Sequence, residues 1–263
     1  MICLILNFLA MAFNVIDFTY SIRNGRPRYD FGFYNPNTFA SICMSIVVEI
    51  IFLKSLQQHS SKKLFIFPIL IGLILNYYCQ SRGSALILIM LGIGLLFQNF
   101  KIFSRLLKYL PTLLTIMSWY VLKLYTIGNS FAIKLDSLLS TRLFCASNYL
   151  KVYKLNLFGN NIINYDKWIG FVQTIDIGYI HLPLTNGLIL YLIFLIFYSA
   201  LLNKISKSKN KCLIVIMFVF CLFGLIEKTA LLLSCNIFLL IMSDIIFFRK
   251  ELEYEDFNYN TNV

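Results

Sequence analysis

The sequence predicts an all-α integral membrane protein of about eight transmembrane helices, with one long extracytoplasmic loop that contains an amphipathic interfacial helix. Hydrophobic residues make up 59% and charged residues 13% of the 263 positions, and the mean hydropathy is +0.76. Soluble domains are nearer half apolar and a quarter charged, so the excess apolar surface indicates a lipid environment. The basic residues cluster between apolar runs, a pattern typical of membrane loops and not of nucleic-acid binding.

The apolar runs define the elements in order. A spanning helix requires roughly 20 apolar residues, with a range of about 17–25. Several of the runs are shorter than this and have to borrow flanking residues. We expect residues 1–250 to form a single polytopic domain and residues 251–263 to form a polar cytoplasmic tail. The candidate spans are Ile2–Tyr20, Thr38–Leu53, Leu64–Tyr78, Ser84–Phe100, Tyr109–Ile127, Ile180–Leu202, Cys212–Ile226 and Thr229–Phe248.

Lysine-rich connections predict the orientation of these spans. With eight crossings, all the lysine-rich clusters fall on one side, and the positive-inside rule makes that side cytoplasmic. Both termini are then cytoplasmic, and the protein is expected to be a multi-pass plasma membrane protein. The clusters are Lys54 with Lys62 and Lys63, Lys101 with Arg105 and Lys108, the four lysines from Lys204 to Lys211, and Arg249 with Lys250.

The opposite side carries arginine instead of lysine. Guanidinium groups bind phosphate through a planar fork of donors and keep their charge at any working pH. The arginines therefore indicate an anionic ligand that is reached from outside, although pairing with Asp30, Asp136 or lipid headgroups would also account for them. The five arginines on this side, of seven in the chain, are Arg23, Arg26, Arg28, Arg82 and Arg142.

The long connection Gly128–Tyr179 has the length of a functional loop. Within it, Leu139, Leu143, Ala146, Leu150 and Tyr153 recur at spacings of three and four residues, which predicts an amphipathic helix face. We expect this helix to lie in the membrane interface, with Arg142 near its start.

Two external turns carry the other candidate arginines. Arg26 and Arg28 alternate in a strand-like stretch and point to the same side. Asn35-Pro36 resembles a helix cap followed by proline at the first helical position, so a positive helix terminus would lie beside them. Arg82 lies in the turn before the next helix, which Ser84 is expected to cap. A plain turn and simple snorkelling are the alternatives at these positions.

Three ionisable residues in the last third of the chain are candidates for proton transfer. Asp176 and His181 stand where the long loop enters a helix, and either has a group that accepts a proton. Asp176 is also a possible helix cap, and His181 a buried structural residue. Glu227 lies in a short external turn, where it would hold an arginine of the site or pair locally. The sequence has no phosphate-binding loop, dinucleotide fingerprint or zinc motif, so it indicates no cofactor and no nucleotide-consuming mechanism, and it leaves metal dependence open.

The ordered set of external motifs resembles the Wzy-type polysaccharide polymerases of bacteria, within the O-antigen ligase-like superfamily. The resemblance extends from Arg26 to about Leu240, and only one predicted helix precedes it, so the chain looks like an N-terminally short version. The motifs are RPRYDFGFYNPNTFA (Arg26–Ala40), QSRGS (Gln80–Ser84), STRL (Ser140–Leu143), LFGNN (Leu157–Asn161), TIDIGYIHLPLTNG (Thr174–Gly187) and GLIEKTALLLSCNIFLL (Gly224–Leu240).

The resemblance implies an enzyme of the outer face of the plasma membrane. Such enzymes join oligosaccharide repeat units carried on undecaprenyl diphosphate, with no nucleotide sugar, and work with a flippase and a chain-length regulator. It implies diphosphate binding by Arg26, Arg28, Arg82 and Arg142. It also implies catalytic roles for Asp176, then His181, with support from Glu227.

Two alternatives to a polymerase remain open. An O-antigen-ligase-like enzyme would transfer a finished glycan to another acceptor with the same arginine chemistry. A non-enzymatic transporter of the lipid-linked sugar would need polar residues along a path through the membrane. Glu49, Asp17 and Asn76 are too few to make such a path.

Overall fold

The computed structural model describes residues 20–23, 26–31, 35–56, 63–162, 175–231, 236 and 239. In these ranges the chain is mostly helical, as predicted, with one antiparallel hairpin of strands β1 (Tyr20–Arg23) and β2 (Arg26–Tyr29). A 3-10 turn, Lys228–Leu231, follows the last helix. The helices are α1 (Pro36–Ser55), α2 (Lys63–Cys79), α3 (Arg82–Leu96), α4 (Lys101–Leu107), α5 (Leu110–Thr126), α6 (Ser130–Leu138), α7 (Arg142–Val152), α8 (Gly178–Asn186), α9 (Leu188–Ser206) and α10 (Lys211–Phe223).

Two of these helices, α1 and α9, are long and apolar enough to cross a membrane. A third span results if α5 and α6, which meet at an angle of 113°, form one broken span. Helices α2, α3 and α10 are apolar but shorter. The 15 residues of α3 rise about 22 Å, against a hydrocarbon core of about 30 Å. The described part of the chain therefore has two or three candidate spans and not the predicted eight.

Most of the predicted apolar runs in the described residues lie where the structure has helices. Helices α1, α2, α3, α5 and α10 coincide with five predicted runs to within a few residues at most boundaries. Ile2–Tyr20, apart from Tyr20 in β1, lies outside the described residues. So do the tail 251–263 and most of Thr229–Phe248.

The helices bring three of the four lysine-rich connections together at one end, and the fourth, Arg249 with Lys250, lies outside the described residues. Lys211 Nζ donates a hydrogen bond to Asn99 Oδ1 over 2.9 Å, so the start of α10 lies beside the turn after α3. Asn210 Nδ2 donates to Ser55 Oγ over 3.3 Å, so the end of α1 lies there too. The start of α1, the turn between α2 and α3, and the end of α10 are consequently at the opposite end, which carries Arg26 and Arg82.

Two apolar clusters hold the helices together. The larger one joins α1, α2, α3, α9 and α10, with Leu88, Val215 and Met217 fully buried. The smaller one joins α5, α7 and α8 through Leu122, Ala146 and neighbouring side chains. Because α8 contacts α9 and also the 3-10 turn, the segment that carries Asp176 and His181 lies between the two clusters.

The segment 128–179 is not the long loop that the sequence predicted, because helices α6 and α7 occupy much of its described part. Between them the chain reverses at Ser140 and Thr141, whose φ angles are +58° and +63°. Leu143, Ala146 and Tyr149 form the buried face of α7, which packs on α5. The apolar face that predicted an interfacial helix is therefore covered by protein, and Leu139 belongs to the end of α6 instead.

The predicted span Ile180–Leu202 is two helices, α8 and α9, because the chain breaks at Gly187, where φ is +86°. A break leaves backbone groups without their intrahelical partners. The segment 154–160 supplies the missing partners. Leu188 N donates to Asn156 O over 3.0 Å and Asn160 N donates to Leu184 O over 3.1 Å.

Candidate functional site

The hairpin is anchored on the end of α2 by Arg28. Arg28 Nε donates to the carbonyl oxygen of Cys79 over 3.1 Å, and Arg28 Nη2 donates to Asn37 Oδ1 over 2.7 Å. Gln80 Nε2 adds a hydrogen bond of 3.0 Å to Pro27 O. These bonds engage Arg28 Nε and Nη2 in holding the hairpin, and the predicted diphosphate role of Arg28 stays a prediction.

The predicted cap of α1 is confirmed. Asn35 Oδ1 accepts a hydrogen bond of 2.8 Å from Asn37 N, and Pro36 is the first helical residue. This geometry follows from local chemistry, since an Asn side chain satisfies a free backbone N–H at a helix start and proline has no N–H to lose. The cap fixes the direction in which the chain leaves the hairpin.

A cavity of about 760 Å³ lies between the hairpin and the turn that joins α2 to α3. Arg26 and Arg82 both line this arginine pocket, together with Tyr29, Tyr77 and Gln80 among others. Both arginines are exposed, and neither has an ion pair among the described residues. The volume is in the range of small-molecule sites, and the two guanidinium groups make the pocket positively charged.

The cap of helix α3 lies three residues earlier than the sequence predicted. Its N-cap is Ser81, so Arg82 is the first helical residue and Ser84 lies inside the helix. Ser84 is therefore not the cap; it is fully buried and accepts a hydrogen bond of 3.3 Å from Ser81 Oγ. The positive end of the helix dipole adds to the charge of Arg82.

An apolar groove of about 300 Å³ runs between α2 and α3. Leu73 lines both this groove and the arginine pocket. Ile69, Leu88 and Gly92 continue the groove toward the lysine-rich end. A charged pocket and an apolar groove therefore adjoin along one pair of helices.

Arg142 lies between two carboxylates that come from distant parts of the chain. Its Nη2 atom is 2.5 Å from Glu227 Oε1 and 3.8 Å from Asp176 Oδ2. The side chains of Arg142 and Glu227 are 11% and 8% exposed, and that of Asp176 is 24% exposed. We call Arg142, Asp176 and Glu227 the acidic cluster. Asp176 is the carboxylate of this cluster that solvent or a ligand reaches more easily. Arg142 Nη1 is buried with no hydrogen-bond partner in the part of the chain that the structure describes.

Burial governs the proton affinities at the acidic cluster. It raises the pKa of Glu227, an effect that the charge of Arg142 opposes and the charge of Asp176 reinforces. Burial, aided by the charge of Lys228, lowers the pKa of His181 to about 4. His181 is therefore neutral near pH 7, and its Nδ1 atom has no partner among the described residues.

The arginine pocket and the acidic cluster adjoin each other at Gly83. A Cβ atom on Gly83 would lie 2.8 Å from Ile226 Cγ2 and 3.9 Å from Glu227 Oε1. Since Arg82 lines the pocket and its neighbour Gly83 contacts the Glu227 turn, the two sets of charged groups lie on either side of one short segment. The structure thus brings Arg26, Arg82, Arg142, Asp176 and Glu227 to one end of the helices.

Sequence reasoning missed the roles of two polar residues of this region, Asp136 and Asn76. Asp136 Oδ1 accepts hydrogen bonds from Leu143 N over 2.7 Å and Phe144 N over 3.2 Å, and so caps α7. Asn76, which the sequence places in an apolar run, lines the arginine pocket. Asp136 was detectable only as an acidic residue a few positions before a predicted helix. Asn76 gave no signal beyond its polarity.

The fold and the charged end define a mostly helical protein with two or three apolar helices of spanning length and an arginine pocket beside an acidic cluster. Comparison with protein-family models, with curated proteins and with solved structures finds no match to this chain. In the described ranges, no group of three His, Cys, Asp or Glu side chains is arranged to hold a metal ion.

Proposed function

We propose that this protein is a membrane glycosyltransferase that joins lipid-linked oligosaccharide repeat units into a surface polysaccharide. The supporting observation is the shared pocket of Arg26 and Arg82, two unpaired guanidinium groups among the described residues, beside the apolar groove between α2 and α3. A diphosphate matches the charge of the pocket, and a polyprenyl chain matches the groove.

The proposed reaction uses the acidic cluster next to the pocket. A hydroxyl of the acceptor sugar attacks the anomeric carbon of the donor sugar, the new glycosidic bond forms, and the bond to the lipid diphosphate breaks. Arg26 and Arg82 stabilise the charge on the departing diphosphate. Asp176, the more exposed carboxylate of the cluster, orients the attacking hydroxyl and accepts its proton. Glu227 holds Arg142 in place, and neutral His181 is a second candidate acceptor.

We propose a multi-pass topology in the bacterial plasma membrane with the lysine-rich end in the cytoplasm. Eight crossings would put both termini on that side. The arginine pocket would then face outward, where lipid-linked units are joined. The shorter apolar helices α2, α3 and α10 would cross with local thinning of the bilayer, at a modest cost per ångström of mismatch.

The test is reconstitution of the full chain in liposomes with a polyprenyl-diphosphate-linked repeat unit, followed by a gel of product lengths. We expect the wild type to form long chains and Arg82→Ala to leave mostly single units. Arg105→Ala is the matched control, because Arg105 is an exposed arginine at the lysine-rich end. Long chains from Arg82→Ala equal to those of the wild type would contradict the diphosphate role.

The alternatives predict different products. A ligase would transfer a supplied long lipid-linked polymer to an acceptor and leave single repeat units unjoined. A transporter would move the lipid-linked sugar across the liposome membrane and form no glycosidic bond. The same liposomes report all three activities, so one preparation discriminates among them.

A further inference from the structure

Asn76 is a buried amide with one unsatisfied oxygen. The residue is 1% exposed, and its Oδ1 atom has no hydrogen-bond partner in the part of the chain that the structure describes. Most buried side-chain oxygens in proteins have a partner, since a buried acceptor without one loses its hydration and gains nothing in return. A hydrogen-bond donor of a bound ligand would satisfy this oxygen.

The orientation of the amide follows from its other hydrogen bond. Asn76 Nδ2 donates to the carbonyl oxygen of Gly72 over 2.8 Å. A flipped amide would put two oxygen atoms against each other, so the nitrogen must face Gly72. The atom without a partner is therefore the oxygen Oδ1, and only a hydrogen-bond donor can satisfy it.

Asn76 lies in the wall of the arginine pocket. The pocket also contains Arg26 and Arg82, which supply positive charge, and Gln80, whose amide is bound to Pro27 O over 3.0 Å. The ligand therefore meets donors from the arginines and one acceptor from Asn76. A phosphate without a sugar, ionised near pH 7, offers oxygen acceptors to the two arginines. It has few hydrogen-bond donors to offer Asn76 Oδ1.

We propose that Asn76 determines specificity in this pocket, by accepting a hydrogen bond from a hydroxyl of a phosphorylated sugar and so selecting phosphoryl sugars over plain phosphates. This proposal rests on the proposed function, because it assigns part of the same substrate to the same pocket. The Oδ1 atom is covered by its neighbours, so a side chain of the pocket wall moves when the hydroxyl reaches it.

The experiment measures binding by the full chain in lipid nanodiscs. The probes are polyprenyl phosphoglucose and polyprenyl methyl phosphate, two phosphodiesters of the same charge that differ in the sugar. We expect the wild type to bind the sugar-bearing lipid about fivefold more tightly, the size of one ordinary hydrogen bond. In Asn76→Leu we expect this preference to disappear while the affinity for polyprenyl methyl phosphate is unchanged.

A thermal unfolding measurement separates selectivity from a structural role. Asn76→Leu removes an unpaired acceptor and also the hydrogen bond from Asn76 Nδ2 to Gly72 O; these two effects on stability oppose each other, so its unfolding midpoint should stay close to that of the wild type. Asn99→Leu at the lysine-rich end is the matched control, and it should keep the sugar preference. The proposal is overturned if the wild type shows no preference, if Asn76→Leu keeps it, or if that variant weakens both probes and lowers the midpoint.

The outcome for Asn76 is distinguishable from that for the proposed function. A sugar preference that depends on Asn76, together with no polymer from the wild type, would overturn the polymerase proposal and leave this one standing. Polymer from the wild type, together with equal binding of the two probes, would overturn the Asn76 proposal and leave the polymerase proposal standing.

Discussion

Arg142 Nη2 lies 2.5 Å from Glu227 Oε1, and this ion pair joins α7 to the turn after α10 across 85 positions of sequence. Both side chains are about nine-tenths buried. Breaking a buried pair by removing one partner leaves an uncompensated charge and typically costs about 3–5 kcal/mol. The pair therefore fixes the guanidinium beside Asp176 and connects the smaller apolar cluster to the end of α10.

The first prediction concerns this pair. Glu227→Ala should lower the free energy of unfolding by about 3 kcal/mol or more, because Arg142 would then remain buried with only the more distant Asp176. Glu227→Gln keeps an acceptor oxygen and should cost less. Denaturant unfolding in detergent measures both. The double variant Arg142→Ala, Glu227→Ala should be less destabilised than the sum of the single changes, and additivity would contradict the pairing.

A second prediction follows from the buried imidazole of His181. Its pKa is about 4 in the folded chain and near 6.5 ordinarily. Below pH 6.5 the unfolded chain binds a proton that the folded chain does not, so stability is full above pH 6.5 and falls as the pH approaches 4. We expect His181 to account for a loss on the order of 2 kcal/mol over that window, allowing for its partial exposure.

The measurement is the unfolding midpoint from pH 7.5 to pH 4.5. His181→Gln should flatten the curve by the share that His181 contributes, while the remaining slope comes from other groups. Identical slopes in the variant and the wild type would show that His181 is accessible to protons in the folded state.

Gly159 and Gly187 support a third prediction. Both have positive φ angles, and a Cβ atom on Gly159 would collide with the carbonyl oxygen of Thr185. Gly159→Ala should therefore weaken the contact between the segment 154–160 and the break before α9, and lower the free energy of unfolding by more than about 3 kcal/mol. Gly128→Ala is the control, because Gly128 has φ +78° and open space around it. It should cost only about 1 kcal/mol.

Proteolysis independently measures whether the segment 154–160 stays bound to the break before α9. If Gly159→Ala releases the segment, cleavage after Lys154 should become faster than in the wild type and in Gly128→Ala. Equal cleavage rates and equal midpoints would mean that the two glycines do not need to approach each other.

Local chemistry explains what was predictable from sequence. The Asn35 cap depends on neighbouring residues only, and alternating apolar runs were enough to expect Arg26 and Arg82 at one end. The break at Gly187 was missed because the apolar run continues through it, and because the segment 154–160 that satisfies the freed backbone is distant in sequence. The contact that Arg28 makes was missed for the same reason, since its acceptor is the carbonyl of Cys79.

The contact between Gly83 and the Glu227 turn yields the last prediction. Alanine at position 83 would place its Cβ 2.8 Å from Ile226 Cγ2, closer than such atoms pack, so Ile226 would have to change its rotamer or the Arg82 turn and the Glu227 turn would have to separate. We expect Gly83→Ala to insert normally and to reduce polymer formation at least tenfold, because misplacing catalytic groups by about 1 Å costs on the order of a hundredfold. Leu86→Ala is the control in the same helix, since Leu86 is exposed and lines neither the arginine pocket nor the apolar groove. Full activity in Gly83→Ala would mean that the arginine pocket and the acidic cluster work independently, even though they adjoin.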